Sequence, residues 1–193
     1  MAKIVLSDAT PLIYLAQITD GLSILERIYG QLTITSMVED ELLPGERAPG
    51  EHEIKQAIQA GIIKVRKDEW RQPVFPWLDE GEESTIRAAV NLANAGHRCL
   101  VLMDEKDGRA ALRQLMSATV TLTGTAASVG RARELGLIPS ANAVFRELQE
   151  KGFYISTDIV RAVLRNIGEA VEALPPTKGK GGGLNPTKTR RRR

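Results

Sequence analysis

The chain has 193 residues, with 26 Lys and Arg against 24 Asp and Glu, for a formal charge of +2. That length fits one domain of common size plus a short appendage and leaves no room for two large domains. No apolar run approaches the ~18 residues of a membrane span, and the single cysteine, Cys99, excludes an internal disulfide framework and a thiolate zinc site.

The near-neutral average hides two unlike pieces. From Leu174 to Arg193 there are seven bases (Lys178, Lys180, Lys188 and Arg190 to Arg193) and no acid, which leaves 19 bases and 24 acids in the preceding residues. The body is therefore −5 and the tail +7.

Met1-Ala2-Lys3 leads directly into Ile4-Val5-Leu6, the first predicted strand, without the pattern of a secretory leader, so a cytoplasmic location is expected. Thr10-Pro11 supplies a helix N-cap followed by proline at the first helical position, and Gly30 ends the helical stretch that follows. Leu32 to Ile34 reads as the second strand, and Ser36-x-x-Glu39 as a capping box for a helix carrying Val38 and Leu42. Pro44 to Glu53, polar and rich in breakers, is expected to be a surface loop before the third strand at Ile62-Ile63. Asp79-x-x-Glu82 is a second capping box, opening a helix with Ile86, Ala89, Val90 and Ala93 on one stripe and Gly96 past its end. Leu100 to Met103 is the fourth strand; Asp107-Gly108 then starts a helix with Leu112, Leu115 and Met116, and Val120 to Leu122 is the fifth strand. Gly136 and Gly152 mark later helix ends.

Unbroken apolar runs are strands buried on both faces, and their alternation with helices predicts a three-layer α/β/α fold around a central parallel sheet of four to five strands. Residues 1–172 are assigned to that domain. Residues 173–193, with Pro175-Pro176 and Gly181-Gly182-Gly183, are expected to form a disordered basic tail.

In such sheets the site lies beyond the carboxyl ends of the strands. Asp8 follows the first strand and Asp104 the fourth, so both emerge at one edge. At roughly 100° per residue, Glu41 falls about 60° from Val38 on the border of its helix's apolar face, and Glu82 within about 40° of Ile86. A carboxylate on a core-facing stripe is protonated, paired or bound to a metal. Each acid also has a plainer role: Asp8 as a helix cap, Asp104 as a turn residue, Glu82 in its capping box, Glu41 as a partly solvated helix acid. Their convergence, with no Lys or Arg placed among them, favours a cation site. Asp107 reads mainly as an N-cap, and Glu83 and Glu105 would replace Glu82 and Asp104 if the registers shifted by one. An all-oxygen set suits Mg²⁺ or Mn²⁺ and not zinc, for which His52 and His97 are too few. Such ions meet phosphates, which points to hydrolysis of phosphodiesters by in-line displacement.

Asp8-Ala9-Thr10-Pro11-Leu12-Ile13, Val38-x-x-Glu41-Leu42, Gly81-Glu82-x-x-x-Ile86 and Leu102-Met103-Asp104, in that order and spacing, resemble the PIN-domain superfamily. Within it the likeness is to a prokaryotic branch related to VapC toxins, and it covers about residues 3 to 168, including Thr123-Gly124-Thr125 and Glu134 to Ile138. The resemblance implies a ribonuclease in which Asp8, Glu41, Glu82 and Asp104 hold Mg²⁺ or Mn²⁺, with the Thr10 hydroxyl near the first acid. It further implies RNA as substrate, a cognate antitoxin and a homodimer. Leu102 stands where the toxins carry the threonine of Thr-x-Asp, and Glu82 where many members have aspartate. Arg109, with Arg113, Arg131 and Arg133, is a candidate grip on phosphate that reads more readily as a solvated helix residue, and the Thr123-Gly124-Thr125 turn could offer backbone amides to phosphate. The rival reading is a catalytically silent PIN-like scaffold that binds RNA or a protein partner. Haloacid dehalogenase chemistry is disfavoured because Thr10 replaces the second aspartate of Asp-x-Asp, and a dinucleotide site because no Gly-x-Gly-x-x-Gly follows the first strand.

Overall fold

A computed structural model describes residues 3–45, 48–67, 75–115 and 118–171. Within them are five strands: β1 (Lys3–Ser7), β2 (Leu32–Thr35), β3 (Ile63–Arg66), β4 (Arg98–Leu102) and β5 (Val120–Thr123). All pair in parallel, in the order β3-β2-β1-β4-β5. The apolar runs behave as expected of strands covered on both faces. Val5, Leu100 and Leu102 pack into one core, while their neighbours Leu6, Cys99, Val101 and Met103 pack into the other. Fully burying a side chain such as Leu6 or Leu102 contributes ~1.5–3 kcal/mol, so β1 and β4 each help to stabilise two layers at once.

Nine helices among the described residues cover the sheet: α1 (Ala9–Leu15), α2 (Gly21–Tyr29), α3 (Ser36–Leu42), α4 (Glu51–Gln59), α5 (Glu80–Asn94), α6 (Lys106–Leu115), α7 (Thr125–Glu134), α8 (Ala141–Glu150) and α9 (Thr157–Asn166). The core that includes Ile86, Ala89, Ala111 and Leu112 lies under α5 and α6; the larger one holds Leu12, Leu25, Val38, Ile54, Val129, Phe145 and Leu164. The result is the expected three-layer α/β/α architecture with a five-stranded sheet. No helix among the described residues is long and apolar enough to cross a membrane.

Several boundaries differ from expectation for local reasons. Asp8, not Thr10, occupies the N-cap position of α1. Thr35, not Ser36, caps α3, its Oγ1 accepting from the Val38 amide at 3.3 Å. The expected loop from Pro44 to Glu53 ends early, because Gly50 takes a left-handed conformation (φ 82°) and Glu51 opens α4. Glu51 suits a helix start: its carboxylate accepts from the Ala48 amide at 3.0 Å and from Lys55 Nζ at 2.5 Å. Asp107 lies inside the first turn of α6 rather than at its cap. Met116, expected on the α6 stripe, and the expected basic tail at 173–193 lie outside the described residues.

The last described segment is tied down by one carboxylate. Glu169 accepts from Ser140 Oγ (2.6 Å), from the Ala141 and Asn142 amides (3.0 Å each) and from Asn142 Nδ2 (3.0 Å). It thereby satisfies the free amides at the start of α8 from a distant part of the chain. Partial burial would raise its pKa, but these donors outweigh that and pull it down to about 2.

Candidate active site

The strand order reverses at β1, whose neighbours are β2 on one side and β4 on the other, so a crevice opens beyond their carboxyl ends. Asp8 is the first residue past β1, and its amide donates to the Leu102 carbonyl at 3.0 Å, which fixes it to the end of β4. The residue is 2% exposed. Its carboxylate makes no capping bond to α1, and Oδ1 is buried without a hydrogen-bond partner. A cap is therefore not its role. Burial, then the charges of Glu41, Asp79 and Glu82, hold its pKa well above the usual carboxylate range, with slight relief from the Ala9 amide.

Glu41 reaches the crevice from α3, which packs directly on α5 at Gly81. A Cβ added to Gly81 would lie 2.6 Å from Glu41 Oε2 and 3.6 Å from Val38 Cγ2. The residue as a whole is solvent-exposed. Desolvation of its carboxyl against α5, then the charges of Asp79 and Glu105, pushes its pKa up to about 7.

Glu82 is 5% exposed, on the buried side of α5 as its helical angle requires. It comes close to the start of α6, where a Cβ on Gly108 would be 2.8 Å from Oε1. Burial and Asp79 raise its pKa to about 7, with smaller contributions from Glu105 and Asp107, against the lowering effect of the hydrogen bond with Asp79. Among the described residues, the side-chain charges that raise the pKa values of Asp8, Glu41 and Glu82 are all carboxylates.

Asp104 stands apart from this trio. It lies two residues beyond β4, since Met103 continues past the strand. Its oxygens are both engaged by Thr125: Oδ1 by the amide at 2.9 Å and Oδ2 by the hydroxyl at 2.5 Å. Burial raises its pKa, opposed by these two bonds and by the Arg109 charge. Gly124 leaves it room, because a Cβ there would collide with Asp104 Oδ1. The Thr123-Gly124-Thr125 turn thus presents its amide to a carboxylate of its own chain rather than to a phosphate. Arg109 is also occupied: Nη1 donates to the Met103 carbonyl at 2.6 Å and to the Thr123 carbonyl at 3.0 Å, pinning the ends of β4 and β5 together.

The remaining candidates have separate places. Thr10 is half-buried in the first turn of α1, and Asp107 is exposed on α6 with its charge felt at Glu82. Glu83 is structural, accepting from Arg87 Nη2 at 3.1 Å and from the Phe75 amide at 3.2 Å. Sequence reasoning gave Asp79 only a capping role. It does cap α5, with Oδ1 accepting from the Glu82 amide at 2.8 Å, but its charge also bears on Asp8, Glu41 and Glu82. The signal was present: a residue just before a helix that points a glutamate into the crevice shares that crevice. Tyr14 was also missed. Burial, then the Asp104 and Glu105 charges, pushes its pKa up to about 12, against the lowering effect of the Tyr154 backbone.

The donor set is all oxygen, rich in negative charge and includes an orphaned buried carboxylate oxygen, which fits a hard divalent cation. Among the described residues no three His, Cys, Asp or Glu side chains are grouped so that together they could hold a metal ion as they stand. A family model with the description PIN domain matches residues 4–169. Comparison with curated proteins returned no match.

Proposed function

The chain belongs to the PIN-domain family, a nuclease-type fold whose members typically use divalent metal ions, and from that premise we propose that it is a metal-dependent endoribonuclease. The observation that carries the reading is the buried, partnerless Oδ1 of Asp8 among like charges. A buried carboxylate oxygen left without a partner among like charges is costly for a fold to keep unless a cation joins it. Asp8, Glu41 and Glu82 would hold Mg²⁺ or Mn²⁺, with Asp104 alongside; when bound, the ion activates water and stabilises charge on the scissile phosphate.

The chain's own residues supply the frame. Asp8 is oriented by its amide bond to Leu102, Asp104 by Thr125, and Glu41 by the close approach that Gly81 permits. Arg109 sets the spacing of the two strand ends that carry Asp104 and Thr125. Glu41 and Glu82, with pKa values of about 7, would have to be deprotonated to hold the cation, so affinity for metal should rise with pH through neutrality. Thr10 and Asp107 would serve as contacts to RNA.

Incubation of the purified chain with mixed RNA pools tests the reading. Cleavage should require Mg²⁺ or Mn²⁺, stop with chelator, and be lost in Asp8→Asn; metal-independent products, or equal activity from Asp8→Asn, would sink it. A chain that bound RNA and metal but left RNA intact would instead be the silent scaffold. The toxin role extends the proposal and rests on the likeness to the VapC branch: a small protein encoded beside this chain should bind it and block cleavage. Sedimentation of the full chain tests the accompanying homodimer.

A further inference from the structure

Two hydroxyls lie where the acid-bearing helices α3 and α5 meet. Thr35, at the end of β2, is fully buried, and Ser84, in the second turn of α5, is buried as well. Their oxygens are 2.6 Å apart. Ser84 Oγ also donates to the Gly81 carbonyl at 2.9 Å, and Thr35 Oγ1 accepts from the Val38 amide at 3.3 Å. A hydroxyl has one proton to give. Since that of Ser84 goes to Gly81, the bond between the two side chains runs from Thr35 to Ser84. A single directed chain results, from the Val38 amide to Thr35, from Thr35 to Ser84, and from Ser84 to the Gly81 carbonyl.

Both ends of this chain adjoin an acid. Val38 is one turn before Glu41 on α3, and Gly81 immediately precedes Glu82 on α5. The two ends also meet directly: a Cβ on Gly81 would lie 3.6 Å from Val38 Cγ2 and 2.6 Å from Glu41 Oε2. With 7 residues, α3 is too short to hold its shape or place unaided. Its apolar contacts through Val38 and Leu42 resist separation but set no fixed register, because burial is non-directional. Hydrogen bonds are directional and weaken steeply out of line. Apolar side chains would fill this contact without the cost of desolvating polar groups, so the two hydroxyls call for an explanation beyond packing.

Resting on the reading of a shared cation, we propose that Thr35 and Ser84 are positioning residues, whose hydroxyl bridge locks α3 against α5 and so sets the spacing of Glu41 and Glu82. Neither side chain would touch the ion; each acts through the helix that it holds. Mg²⁺ tolerates little error in that spacing, since it demands near-octahedral oxygens at about 2.0–2.1 Å.

Calorimetric titration of the full chain with Mn²⁺ tests the proposal. Ser84→Ala breaks the bridge while leaving Thr35 able to cap α3, and it should weaken Mn²⁺ binding roughly 10-fold, the lower end for groups that orient metal ligands. Thr35→Val should do at least as much, and Thr35→Ser, which keeps the hydroxyl, should retain wild-type affinity. The double variant Thr35→Val/Ser84→Ala should bind Mn²⁺ as Thr35→Val does, because both changes break one bridge. Ile54→Val is the control: it removes a buried methyl from α4, which carries none of the acids, and should lower the melting temperature without changing Mn²⁺ affinity. A second readout needs no metal. Spin labels at two exposed positions, Asp40→Cys on α3 and Asn91→Cys on α5, in a Cys99→Ala background, should give a narrow distance distribution that broadens on Ser84→Ala. Unchanged Mn²⁺ affinity in Ser84→Ala, whatever its melting temperature, would overturn the inference and leave the bridge a packing feature. So would additive losses in the double variant, equal weakening by Ile54→Val, or a distance distribution that does not broaden. A wild type that bound no Mn²⁺ would remove the cation reading alone, with the bridge still judged by the labels; Mn²⁺ binding that ignores Ser84 would remove the bridge's role alone.

Discussion

Replacing Glu82 by glutamine removes a charge that the metal-free fold holds at a cost. The carboxyl is 5% exposed at the residue level and shifted from an ordinary 4.5 to about 7. Between those values the folded state binds more protons than the unfolded one, so stability falls as pH rises through the window and levels off above it. At ~1.4 kcal/mol per pKa unit the full shift is worth about 3 kcal/mol, and allowing for solvent reaching the crevice leaves about 2 kcal/mol. Above pH 7, in chelator, Glu82→Gln should therefore be the more stable protein by roughly 4–8 °C in melting temperature, at ~2–4 °C per kcal/mol for a domain of this size. At pH 4 the two should melt together. Saturating Mn²⁺ should reverse the order, because an ion at about 100 times its Kd adds ~2.7 kcal/mol to the form that binds it. Thermal melts of both proteins at pH 4, 6 and 8, with chelator and with Mn²⁺, provide the readout. If the wild type in chelator gained stability on Glu82→Gln from pH 4 to pH 8, the account of a strained acidic crevice would be refuted.

Three further substitutions probe the supports. Gly81→Ala places a methyl 2.6 Å from Glu41 Oε2, so cleavage should fall about 10²-fold while stability is unchanged or rises by up to ~1 kcal/mol, as for alanine in a helix; kinetics beside a denaturant titration would show it. Thr125→Val keeps the shape but deletes the hydroxyl bond to Asp104, which should cost ~1.5–3 kcal/mol in urea unfolding at neutral pH. Glu169→Gln should cost about 2 kcal/mol at pH 7, a screened value for a partly exposed group. Because the Glu169 pKa is depressed to about 2, its stabilisation is complete above pH 4.5 and lost as pH falls towards 2, so the difference from wild type should vanish in acid melts.

The sheet was readable because its strands are buried on both faces: Ile4 to Leu6 and Leu100 to Met103 are apolar without interruption. The acids on helices were readable from angle alone, since the interval from Glu82 to Ile86 already puts that carboxyl on the inner face. What escaped was long-range. Nothing near Asp104 in the chain announces that Thr125 will hold both its oxygens, and nothing near Glu169 announces four donors from Ser140 to Asn142. Helix starts slipped by one or two residues: at α3 the neighbouring Thr35 and Ser36 hydroxyls compete for the same amide and Thr35 takes it, whereas at α1 Asp8 takes the extended N-cap backbone without any side-chain cap.

The bond from the Asp8 amide to the Leu102 carbonyl bears on how the protein is made. Residues 3–7 leave the ribosome early, yet one flank of β1 stays bare until residues 98–102 arrive to pair with it. Loop closure over such a separation is slow and comes late in folding. A chain still in synthesis can carry Asp8, Glu41 and Glu82 without the strand end that holds Asp8 in place. If the protein cuts RNA, the transcript and ribosome producing it are spared until β4 has emerged, and fragments released before that point are inert.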